Sequence, residues 1–168
     1  MTLDEFNRLP PAQLRESLTQ CCGAAAWVEK MMYSFPVDDE TALLNTASLH
    51  WHSCSEQDWK EAFTHHPRIG DLASLQKKFA STAQWAAGEQ AGAVNASMEV
   101  LQSLAEGNRL YEEKFGYIFI VCATGKPAAE MLQLLNERLQ NNTQEEIKTA
   151  MEEQLKITII RLKKLLMS

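Results

Sequence analysis

Apolar residues recur at steps of three and four along most of the chain, and helix-end punctuation separates the runs. Thr2 and Glu5 have capping-box spacing and open a short turn that carries Phe6 and Leu9. Pro11 suits a first helical position. Leu14, Leu18 and Cys21 follow on one face, and Gly23 is placed to stop that helix. A third helix carries Trp27 and Met31 and ends before Pro36. Asp38 or Asp39 caps a fourth, with Leu43, Leu44, Ala47 and Trp51 inward. Ser55 and Asp58 start a fifth, with Trp59, Ala62 and Phe63 on its inner face.

The periodicity stops at His65-His66-Pro67-Arg68-Ile69-Gly70-Asp71. Pro67 forces His66 out of helical dihedrals, and Asp71 is placed to cap a helix holding Leu72, Leu75 and Phe79. Ser81 is placed to cap the small-residue stretch from Ala83 to Ala93. Met98, Leu101, Leu104 and Ala105 then predict a long amphipathic helix running to Gly116. Tyr117 to Ala123 is an unbroken apolar run, expected as an extended or early-helix segment ended by Gly125. Pro127 starts a helix with Met131, Leu134 and Leu135, and Thr143 with Glu146 reads as a capping box for a last helix to about Leu166. One strand candidate cannot build a sheet. The expected fold is all-α, a single-domain bundle of about eight to nine helices over residues 1–168.

Composition narrows the function classes. The chain is 45% hydrophobic and 23% charged, with 7 glycines and 5 prolines in 168 residues, which suits a helical globular domain rather than a turn-rich sandwich. A net charge of −6 argues against nucleic-acid binding. No apolar run approaches membrane-spanning length. The start, Met1-Thr2-Leu3-Asp4-Glu5, has neither a basic segment nor an apolar stretch, so no secretory signal is expected. Cys21, Cys22, Cys54 and Cys122 form no CxxC pair and read as free thiols in a reducing, cytoplasmic setting.

Three features carry chemistry. On the last helix, at about 100° per residue, Ile147, Ala150, Gln154, Ile157, Thr158 and Leu165 all fall within about 60° of Arg161. Lys148, Glu152, Lys156 and Lys163 fall on the far side. Arg161 therefore points from the middle of the buried face, where it needs a carboxylate, a carbonyl cluster or an anionic ligand, or must snorkel out. Glu89-Gln90 lies between Trp85-Ala86-Ala87-Gly88 and Ala91-Gly92-Ala93. Those small residues allow either a ligand groove or a tight helix crossing with Glu89 at its edge. His66 stands in a punctuated loop, either as an acid–base group or as an exposed loop histidine. A zinc reading from His50, His52, Cys54 and His65 or His66 has poor spacing, because residues two apart on a helix do not face each other. No GxSxG, GxGxxG or GxxxxGK[ST] is present.

In combination the chain resembles the family of 2-oxo-4-hydroxy-4-carboxy-5-ureidoimidazoline (OHCU) decarboxylases of urate degradation. The resemblance runs from Phe6-Asn7-Arg8-Leu9 to the last helix. It rests on His66-Pro67-Arg68-Ile69-Gly70-Asp71, Glu89-Gln90-Ala91-Gly92, Asn108-x-x-Tyr111-x-x-Lys114-Phe115-Gly116, Phe119-Ile120-Val121-Cys122-Ala123 and Arg161-Leu162. It implies an all-helical homodimer that needs no cofactor and no metal, and a decarboxylation giving (S)-allantoin. His66 matches the catalytic histidine, here the proton-handling group. Glu89 would hold His66 or the substrate hydroxyl, and Arg161 a carbonyl or carboxylate of the ligand. Pro67 matches the proline beside the substrate ring, and Gln90 the motif's amide. Backbone groups of Ile120, Val121, Cys122, Ala123 and Thr124 match the segment that bonds the ureido and ring amides. Ala86 stands where the family motif has serine. Phe115-Gly116-Tyr117-Ile118-Phe119 departs from the family's Phe-Gly-Phe-Pro-Phe. The competing expectation is a non-catalytic helical module that binds a ureide or a partner helix.

Overall fold

The computed structural model describes residues 1–67, 71–77, 79 and 91–167, and for 91–97 the backbone alone. Every regular element among the described residues is helical: α1 (Leu3–Asn7), α2 (Pro11–Cys21), α3 (Ala25–Ser34), α4 (Glu40–His52), α5 (Glu56–Thr64), α6 (Ala91–Phe115), α7 (Ala128–Leu139) and α8 (Thr143–Met167). A further helical turn spans 72–77. The all-α expectation holds. None of the described helices is long and apolar enough to cross a membrane. Contacts divide the chain into two compact units, Met1–His66 with Thr149–Ser168, and Pro67–Lys148.

In the first unit the predicted caps form. The Glu5 amide donates to Thr2 Oγ1 at 3.2 Å while the Thr2 amide donates to Glu5 Oε2 at 2.7 Å. Ser55 and Asp58 repeat this reciprocal pairing. Of the two candidate aspartates Asp39 caps α4, accepting from the Ala42 amide at 2.7 Å. Helix α3 packs against α2, α4 and α5. Trp27, Met31, Leu43, Ala47, Trp51 and Phe63 are buried in this core. Buried indole N–H groups need acceptors, and backbone carbonyls supply them. Trp27 donates to the Ala47 carbonyl at 3.0 Å and Trp51 to the Met151 carbonyl of α8 at 2.8 Å.

Helix α8 turns as its spacing dictates. Ile147, Ala150, Gln154 and Thr158 are buried, whereas Lys148, Glu152, Lys156 and Lys163 are exposed.

In the second unit α6 packs along α7 and buries Leu101, Leu104, Tyr111 and Phe115. Met98, expected on the same face, is 40% exposed. Three-residue steps drift, and Met98 lies about 120° around the helix from Leu104. Gly116 ends α6 at φ +83°, a conformation most side chains avoid. The run from Tyr117 to Ala123 is irregular, neither helix nor strand.

A second correction concerns the start of α8. Thr143 and Glu146 do not form a capping box. Asn142 takes the cap, its Oδ1 accepting from the Glu145 amide at 2.8 Å. Glu146 is fully buried instead. Its Oε1 accepts from Arg138 Nε at 2.7 Å and from the Tyr111 hydroxyl at 2.5 Å, and its Oε2 from Asn141 at 3.0 Å. The Arg138 guanidinium lies 4.6 Å from the centre of the Phe119 ring, and its Nη1 donates to the Ile120 carbonyl. An internal arginine out-competed a local cap because a buried carboxylate needs a cation more than a helix start needs a second acceptor.

Arg138→Ala leaves Glu146 as a buried, unpaired carboxylate. The expected destabilisation is roughly 3–5 kcal/mol, read as a lower urea midpoint with unchanged slope. An unchanged midpoint would contradict this account of the pair.

Candidate active site

His66 follows the end of α5. The His65 and His66 amides donate to the carbonyls of Ala62 and Phe63 at 3.1 and 3.3 Å, closing the helix before Pro67. Gly23 shapes the same place, but not as the predicted helix stop, since its backbone takes no left-handed turn. Helix α2 ends at Cys21 with the Cys22 amide on the Leu18 carbonyl at 3.0 Å. A Cβ on Gly23 would stand 2.6 Å from His65 Cδ2. The missing side chain lets the His65–His66 corner seat against the end of α2.

His66 is half-buried, and its Nε2 is hydrogen-bonded to Gln154 Oε1. Gln154 is fully buried; its Nε2 donates to Thr158 Oγ1 at 3.1 Å, and that hydroxyl donates to the Gln154 carbonyl at 3.0 Å. One turn further, Arg161 Nη1 donates to the Cys21 carbonyl at 3.3 Å. That carbonyl belongs to the C-terminal, negative end of α2's dipole, which favours a cation. Among the described residues no carboxylate pairs with Arg161. The partner expected for a buried-face arginine is thus a carbonyl.

Burial pushes the His66 pKa down. The Arg161 and His65 side chains push the same way, and the Gln154 bond opposes them. His66 is therefore neutral at pH 7. Because the unfolded chain binds this proton more readily, stability falls as pH drops below the ordinary histidine value, and levels off below the folded one. Cys21 and Cys22 are free, buried, and pushed up to about 12 by desolvation, so both are thiols.

The site residues read from the sequence are distributed as follows. His66 and Arg161 lie in one unit, close enough for the guanidinium to act on the imidazole. Pro67 is exposed and, with Ile120, Val121, Cys122, Ala123 and Thr124, belongs to the other unit. In that segment the Ile120 carbonyl is held by Arg138, the Cys122 carbonyl by Lys126 Nζ at 2.7 Å and the Ala123 carbonyl by the Lys126 amide at 3.0 Å. Ala86, Glu89 and Gln90 lie outside the described residues. The histidines of the zinc reading have separate bonds: His50 with Ser34, His52 with Glu152 and His66 with Gln154. Among the described residues no cluster of three or more His, Cys, Asp or Glu could hold a metal.

Sequence reasoning placed Gln154 and Thr158 on the buried face with Arg161 but drew nothing from it. Three polar residues in register on an apolar face were the available signal. Arg138 and Glu146 carried no comparable signal.

The OHCU decarboxylase family model matches residues 7–163. The chain belongs to the OHCU decarboxylase family. It is 39% identical over 148 residues to the uric acid degradation bifunctional protein TTL of Arabidopsis thaliana, covering 86% of this chain and 45% of that protein. A Bacillus uric acid degradation bifunctional protein is 26% identical, with 98% of this chain and 32% of the relative covered. The chain therefore spans less than half the length of these two relatives. A 2-oxo-4-hydroxy-4-carboxy-5-ureidoimidazoline decarboxylase of Halalkalicoccus jeotgali is 24% identical over 98% of this chain and 92% of its own. Among solved structures, an OHCU decarboxylase determined in the presence of (S)-allantoin superposes with TM-score 0.71 at 38% identity, covering 89% of this chain and 96% of that one.

Within this family member, Gly23→Ala should displace the His65–His66 corner. The expected cost is about 1–3 kcal/mol of stability from overpacking, measured by thermal denaturation. A melting temperature equal to that of the parent would show that the corner tolerates the extra methyl.

Proposed function

We propose that the chain is a cofactor-independent carboxy-lyase that converts OHCU to (S)-allantoin in urate degradation. The observation that carries this reading, beside family membership, is that a neutral His66, held by Gln154, and an Arg161 guanidinium close enough to act on its ring lie in the same unit. The reaction needs little more than orientation, charge stabilisation and one proton. The bond between the carboxylate carbon and the ring carbon breaks, and its electron pair passes into the adjacent ring C=N. CO₂ leaves, the ring nitrogen that received the electrons takes a proton, and the hydroxyl carbon becomes a carbonyl as its O–H proton is lost and one proton adds from one face to the neighbouring ureido-bearing carbon. That C=N is the electron sink, so no pyridoxal or thiamin group is called for. His66 handles the proton. Arg161 binds a carbonyl or carboxylate of the ligand, Glu89 holds His66 or the hydroxyl, and Gln90 and Pro67 contact the ring. Backbone groups of Ile120 to Thr124 bind the ureido amides. Ala86 provides no hydroxyl there.

His66→Asn should lower kcat by roughly 10²–10⁴-fold, the usual share of a positioned acid–base group, with the circular dichroism spectrum unchanged. Arg161→Ala should weaken allantoin binding in calorimetric titration, and Arg161→Lys should restore only part of it, because an ammonium lacks the planar fork. Freshly generated OHCU supplies the decisive assay. A protein that only bound ureides would leave the slow spontaneous, racemic conversion unchanged, whereas the decarboxylase yields one enantiomer.

We further propose a homodimer acting in the cytosol. Tyr33 on α3 and Leu49 on α4 are 89% and 68% exposed, and they suit a surface shared with a second copy. Ser34 Oγ and His50 Nε2, from the residues next to them, are 2.7 Å apart, so α3 and α4 are in contact at this level. The four free buried thiols fit a reducing compartment. Tyr33→Glu with Leu49→Glu should shift the mass measured by light scattering from dimer to monomer. A dimer mass retained in that variant would place the interface elsewhere.

A further inference from the structure

We propose that Gln154 and Thr158 are positioning residues that lock His66 in its Nε2–H form, making Nδ1 the nitrogen that exchanges a proton with substrate. The inference rests on the decarboxylase reading for the word substrate, but its geometry stands apart from it. A hydroxyl has one proton to give. The Thr158 hydroxyl has the Gln154 carbonyl, to which it donates at 3.0 Å, and the Cys22 sulfur as its other partners, so toward the Gln154 side chain it accepts. The amide NH₂ of Gln154 must then face Thr158, as it does at 3.1 Å. This turns Oε1 toward His66 Nε2, with which it is hydrogen-bonded. An amide oxygen only accepts, so Nε2 must carry the hydrogen. In a neutral imidazole the lone pair is then left on Nδ1.

Burial makes the arrangement firm. Gln154 is 0% and Thr158 1% exposed, so water does not compete for either group and a flipped amide would leave buried donors and acceptors mismatched. The choice of an amide also matters. A carboxylate at this position would accept the same bond but would attract the imidazolium and hold the ring charged. Gln154 orients the ring without that attraction. Among the described residues, the charged and titratable groups that act on His66 are Arg161 from α8 and His65 beside it, and both oppose protonation. His66 thus meets substrate as a neutral ring with an open lone pair. During turnover Nδ1 takes up the hydroxyl proton as the carbon that has lost CO₂ becomes a carbonyl, and gives it to the neighbouring ureido-bearing ring carbon, which returns the imidazole to its starting state.

Nitrogen NMR of protein labelled with ¹⁵N-histidine reads the tautomer without substrate. At neutral pH the His66 signals should show a protonated Nε2 and a bare Nδ1. Thr158→Val, which keeps the shape but removes the hydroxyl, should give a mixture of tautomers. Gln154→Glu should move the acidic limb of the kcat/KM profile for OHCU upward by about 1–3 pH units, as expected for a carboxylate beside the ring. A merely structural role for Gln154 would lower turnover at every pH and leave that limb in place. A wild-type His66 protonated on Nδ1, or an unmoved limb in Gln154→Glu, overturns the proposal. Should the wild-type protein fail to turn over OHCU, the decarboxylase reading falls, and the tautomer measurement still decides this one.

Discussion

Polar groups removed from water must find partners, and on α8 this requirement organises the candidate site. The helix buries an apolar stripe that also holds Gln154, Thr158 and Arg161. Each is matched to something specific. Gln154 and Thr158 satisfy one another across a single turn, and Gln154 has an acceptor left for His66. Arg161 reaches the last carbonyl of α2. An unpaired amide or guanidinium in this position would cost several kcal/mol, of the same order as the whole stability of a domain. The partners are therefore as constrained as the core itself, and an imidazole held by them has one orientation available.

The second unit solves the same problem with full charges. Arg138 and Glu146 are buried together, and the remaining hydrogen-bonding capacity is taken up by Tyr111, Asn141 and the Ile120 carbonyl. A buried ion pair of this kind adds little net stability over an apolar replacement. It does hold Ile120, the first residue of the segment proposed to meet the substrate amides. Lys126 holds the Cys122 carbonyl of that segment. With no regular secondary structure over 117–123, these side-chain contacts do the work that a strand ladder would do elsewhere.

Much of the fold was legible because helix signals are local. Thr2 with Glu5, Ser55 with Asp58, Asp39 and Asp71 each cap the turn they precede. The errors were of two kinds. Met98 was misjudged because a run of three-residue steps rotates away from the core. The cap at Thr143 was misjudged because Glu146 has a distant partner in Arg138, which no local pattern announces. Gly23 belongs with the second kind: its position after a helix suggests a stop, yet its missing side chain admits the His65 ring, 42 positions on.

By itself the sequence determined the helical class, the family and the face of α8 from which Arg161 projects, because periodicity and motif order are written in neighbouring residues. Which group meets that arginine, which nitrogen of His66 carries the hydrogen and which carboxylate is buried with Arg138 were decided only in three dimensions. Each depends on a partner at least eight positions distant, and in two cases more than 80. Chain spacing says nothing about such pairings until the helices have packed.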